Sequence, residues 1–226
     1  MESWTIHFLN SRGALTSNME RVKEAISNVH SRTFGSVPEI PLDIVVEAVV
    51  NGGIPETGHC GYSPRSGVIF LSIDPSNENL KSHLGVPLER VIAHELHHAL
   101  RWDSIGYGST LVEAIVSEGL AGRFSQELYG NEPELWEAAL SSLEISKYLK
   151  QAIQESDSDN YDHHRWFFGD GDIPRWAGYT LGWELVGNLS GDLTGLKPSE
   201  MIAIPAIEFT DSLATLALKY EQSIKN

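Results

Sequence analysis

The sequence predicts an α+β fold, with a small N-terminal mixed sheet and a mostly helical C-terminal half. Three observations carry that prediction. Short β-rich runs at 4–8, 44–50 and 68–73 are confined to the first third of the 226 residues. From Pro87 onward the apolar residues recur at helical spacing instead. Where the two regimes meet stands His94-Glu95-Leu96-His97-His98, an H-E-x-x-H sequence. A chain of this length buries a good core and reads as a single domain over 1–226, with an α/β lobe at about 1–102 and a helical lobe at about 109–226.

Trp4, Ile6 and Phe8 alternate with Thr5 and His7, as in a strand. Residues 18–32 place Met19, Val22, Ile26 and Val29 on one helical face, and a Pro-containing connector follows at 36–41. The β-branched run 44–50 predicts a second strand. Residues 51–66, with four Gly and two Pro, predict a loop. A third strand spans 68–73 and is stopped by Asp74-Pro75; it reads equally as an interior strand or as a sheet edge able to pair with an extended peptide. Helices are expected near 133–142, started by Pro133, and at 144–155. Residues 156–175 break the pattern, 177–189 resume it, and the tail has a short helix after Pro198 and an amphipathic one over 206–223.

The motif lies on a helix that Pro87 can start, with Leu88, Ile92, Leu96 and Leu100 as its apolar stripe. One turn apart, His94 and His98 share a face and can reach a single metal ion. Glu95 falls beside that face, where it can take a proton from water on the metal. Leu96 points the other way, into a core, and His97 reads as a supporting or core residue. A catalytic zinc usually takes three protein ligands, and the next helical segment offers Glu113 and Glu118. Five positions separate these acids, about 140° around a helix, so both cannot face one ion. Thr110 to Glu113 form a capping box that accounts for Glu113. Glu118 sits among small and apolar residues in Ser117-Glu118-Gly119-Leu120-Ala121, which makes it the third ligand.

His94-Glu95-x-x-His98 followed after nineteen residues by Glu118 resembles the gluzincin metallopeptidases, the thermolysin-like clan. The Ser117 to Ala121 context is similar to the Asn-Glu-Gly-Phe-Ala segment of the zinc aminopeptidases. Together with Trp176-Ala177-Gly178-Tyr179-Thr180-Leu181-Gly182, these pieces resemble the family of predicted zinc-dependent proteases that includes the YjaZ-like bacterial proteins. The resemblance spans about residues 90–190. It implies a zincin-like fold, Zn2+ held by His94, His98 and Glu118, and cleavage of peptide bonds with Glu95 as general base. One position departs from it: where thermolysin-like enzymes place an Asp that orients a histidine, this chain has Gly122.

Zinc peptidases also need a donor for the oxygen that gains charge. Tyr179, between Gly178 and Gly182, is the first candidate, and His163 and His164 come next. A competing expectation is a non-catalytic zinc protein, a binding or regulatory module whose metal site is closed by a fourth ligand from His59, Cys60, Asp162 or His163. The acids of 157–172 lack the ligand spacing of an EF-hand and read as a solvated loop. Sixteen Lys and Arg against 31 Asp and Glu give a net charge of −15, which repels phosphate backbones and excludes nucleic acid as a partner. The single cysteine, Cys60, allows no intrachain disulfide. With no secretory leader and no membrane-spanning run, the expectation is a cytoplasmic protein acting on peptide or protein substrates.

Overall fold

The computed structural model describes residues 3–130, 132–192 and 195–225. The chain forms two compact units, 1–104 and 105–226. It is α+β, with one four-stranded mixed sheet.

In the first unit, strand β1 (Trp4–Leu9) leads into helix α1 (Met19–Thr33), which buries Val22, Ala25, Ile26 and Val29. Strands β2 (Leu42–Ala48), β3 (His59–Arg65) and β4 (Val68–Ile73) complete the sheet in the order β1-β2-β4-β3. β1, β2 and β4 run parallel, with Ile6 opposite Ile44 and Ile44 opposite Ile69. Such strands are covered by helices, which suits the fully buried Ile44, Val46, Ile69, Leu71 and Ile73. A short helix α2 (Leu80–His83) precedes α3 (Val86–Trp102), which packs on α1, β3 and β4.

Two expectations for this unit are corrected. The stretch 51–66 is not all loop, because 59–65 forms β3, antiparallel to β4. β3 lacks β-branched residues and contains Pro64, but an edge strand tolerates both. Its ladder shifts register between Tyr62 and Arg65, where the proline, having no N–H, falls out of the pairing. Strand 68–73 is therefore interior, between β2 and β3, and its edge reading does not hold.

The second unit is helical. α4 (Leu111–Tyr129) starts at Thr110 with the expected capping box and stops at the left-handed Gly130. α5 (Ser142–Glu155) starts with a second capping box, Ser141 with Glu144. A five-residue π-helix (His164–Phe168) precedes α6 (Ala177–Asp192), and α7 (Thr210–Lys225) ends the fold. Leu111, Ile115, Leu120, Trp166, Phe167, Leu181 and Leu213 meet in one core. α4 and α6 cross almost backbone to backbone: a Cβ on Gly119 would lie 2.2 Å from the Gly182 carbonyl oxygen, and one on Gly182 would lie 2.2 Å from that of Ile115.

No long helix forms over 133–142, contrary to expectation; the chain makes a single turn closed by Glu137 and Ala138 N–H to Glu134 O. The Thr180 hydroxyl takes over the backbone there, accepting from Ala139 N–H and donating to Trp136 O, both at 3.1 Å. A helix terminus is thus replaced by contacts from α6 that no local pattern reveals.

Candidate metal centre

Helix α3 presents the H-E-x-x-H motif with Glu95, Leu96, His97 and His98 buried and His94 half-buried. The two imidazoles lie one turn apart as expected. His94 Nε2 and His98 Nε2 approach to 3.0 Å, with the rings 79° apart. Two nitrogens bound to one tetrahedral zinc, each about 2.0–2.1 Å from it, would stand about 3.3 Å apart, a spacing close to the one seen here. Glu95 lies under β3. A Cβ on Gly61 would fall 2.4 Å from Glu95 Cγ, so only glycine lets the strand pass over this carboxylate.

On α4, Glu113 is occupied as the capping box requires: its Oε2 accepts from Ser109 N–H, Thr110 N–H and the Thr110 hydroxyl at 2.8–2.9 Å. Glu118 is buried. The Tyr107 hydroxyl donates to Glu118 Oε1 at 2.6 Å, a contact the sequence reading missed. Burial, reinforced by the Glu118 charge, raises the Tyr107 phenol well above its ordinary range. Burial and the same carboxylate push Tyr161 up to about 12. His163 is lowered by burial against the opposing pull of Glu118.

A cluster of aromatic rings thus feels the Glu118 charge. Tyr161 Oη and His163 Nδ1 are 3.1 Å apart, and His163 stacks on Phe167 with centroids 4.4 Å apart. Tyr179 is half-buried and meets Phe167 edge-on. His164 faces solvent and pairs with Asp170.

His94, His98 and Glu118 each offer one ligand atom, and these atoms lie within 4.8 Å of one another, a group that could hold a metal ion. Two neutral imidazoles and a carboxylate are a donor set that zinc accepts. Among the described residues His59, Cys60, Asp162 and His163 do not join this group. His59 instead binds the His83 carbonyl through Nε2 at 3.0 Å, and the Cys60 thiol donates to Gly52 O, its pKa raised first by burial. The acids of 157–172 form no such group among the described residues; Arg165 bonds Asp172 and Glu155. At Gly122, where the resemblance lacked an Asp, a Cβ would stand 2.5 Å from Oε1 of the buried Glu137, so the missing side chain makes room for another carboxylate.

The fold and site define a class: an α+β chain carrying a His, His, Glu group that could hold a metal ion. This chain belongs to the DUF2268 family, described as a predicted Zn-dependent protease, whose model matches residues 17–211. The family expected from the sequence and the zinc it implies thus agree with the match and with the ligand group. No curated protein matches the chain.

Proposed function

We propose that this protein is a zinc-dependent hydrolase of gluzincin type that cleaves peptide bonds. His94, His98 and Glu118 are its metal ligands, in a zincin-like arrangement. The observation that carries the reading is the approach of those three ligand atoms to within 4.8 Å of one another. Zinc in such a site lowers the pKa of a water and polarises a carbonyl. Glu95 acts as general base, removing a proton from the attacking water and handing it to the leaving amine. Tyr179 is the first candidate donor for the oxygen that gains charge, and His163, held by Tyr161 and Phe167, is the second. The substrate-pairing role first considered for strand 68–73 passes to β3, the edge strand that runs over Glu95. The single free thiol supports a reducing, cytoplasmic setting.

The test joins elemental analysis to cleavage of a mixed peptide library by wild type and Glu95→Gln. The expected result is one zinc per chain in both and cleavage by wild type, lowered in the variant by about 10²–10⁴-fold. Zinc retained with no peptide cleaved by wild type would leave a non-catalytic binding protein in its place.

A further inference from the structure

We propose that Tyr107 is a positioning residue whose phenol holds the Glu118 carboxylate in place as a zinc ligand. This rests on the reading of His94, His98 and Glu118 as the metal site. The contact itself is short and charge-assisted, 2.6 Å from hydroxyl to Oε1.

The chain between α3 and α4 is arranged to make that contact. Tyr107 stands between Gly106 and Gly108, whose φ values of +84° and +95° belong to the left-handed region that favours glycine. The loop is then fastened to the first turn of α4. Glu113 Oε2 takes the N–H groups of Ser109 and Thr110, and Gly108 lies so close that a Cβ there would be 2.3 Å from Glu113 Cβ. The capping box thus anchors the arm that carries Tyr107 back to Glu118, beyond its starting role in the helix.

The choice of a phenol follows from charge. A buried carboxylate needs a donor, and an ammonium or guanidinium would supply one but would also cancel the negative charge that attracts the ion. A neutral hydroxyl satisfies an oxygen and leaves the charge to the metal. Fixing the carboxylate before the ion arrives removes an ordering cost from binding, which is how groups behind metal ligands raise affinity.

The experiment measures zinc affinity by chelator competition in wild type and Tyr107→Phe, which keeps the ring and loses one oxygen. Binding is expected to weaken by about 10–100-fold, while the metal-free chain stays folded with a modestly lower thermal midpoint because the buried carboxylate has lost a donor. The visible bands of the cobalt-loaded protein should also shift, because the ligand field changes. Gly108→Ala, which displaces the loop without altering the phenol, should weaken zinc in the same direction. Tyr220→Phe is the control, since Tyr220 makes the same 2.6 Å contact to Glu184, outside the metal group. Zinc affinity within about twofold of wild type in both the Tyr107 and Gly108 variants overturns the proposal, as does an equal loss in Tyr220→Phe. The two readings fail differently. A wild type that binds no zinc removes both, whereas zinc-binding protein that cleaves nothing, with Tyr107→Phe still weakened, removes only the hydrolase.

Discussion

At the scale of single residues the site is defined by what fits around Glu95 and by which groups stay neutral. Gly61→Ala drives a methyl into Glu95 Cγ and, at 2.9 Å, into Val91 Cγ1. Strand and carboxylate must part, so the variant should lose about 1–3 kcal/mol in denaturant titration and more than tenfold in peptide cleavage, with zinc content intact. Unchanged cleavage would mean that β3 does not set the position of Glu95. His59 gives a pH signature. It is fully buried with its pKa lowered to about 4, chiefly by burial, while the unfolded chain takes up that proton near 6.5. The folded state binds the proton less readily, so the residue's contribution is whole above about pH 6.5 and drains away as pH falls towards 4, on the order of 3 kcal/mol at most. The thermal midpoint of wild type should therefore fall more between pH 7 and 5 than that of His59→Gln. Parallel curves would assign the acid sensitivity elsewhere.

At the scale of elements, the α4–α6 crossing admits no side chain. Gly182→Ala would meet the Ile115 carbonyl, and because backbone cannot rotate aside, the helices must separate. We expect a loss of about 3 kcal/mol or more by chemical denaturation, against about 1 kcal/mol for Ser141→Ala at the α5 cap. A Gly182→Ala chain as stable as wild type would mean the helices part freely. The same contrast explains what the sequence made legible. The capping boxes and the pairing of His94 with His98 are written in spacings of three and four residues, so they could be read directly. Glu118 emerged because the capping box removed Glu113. β3 was hidden because an edge strand tolerates Gly and Pro and owes its form to β4. The turn at 134–138 was hidden because Thr180, far along the chain, satisfies its backbone. Tyr107 was missed because a loop has no period; its only mark was a tyrosine between two glycines.

At the scale of the whole molecule, zinc that binds only the folded chain stabilises it by mass action. The thermal midpoint should rise with zinc concentration, by about 2.7 kcal/mol equivalent at a hundred times Kd, and fall on adding chelator. A midpoint indifferent to both would leave the His94, His98 and Glu118 group without a metal to hold. Among the described residues no helix is long and apolar enough to cross a membrane. The shifted ladder of β3 has an effect at this scale too. Beyond Tyr62 this one edge of the sheet presents no unbroken row of amides, because Pro64 interrupts it. Pairing between copies along that rim is therefore opposed, because a strand docking there would find its row of amides broken.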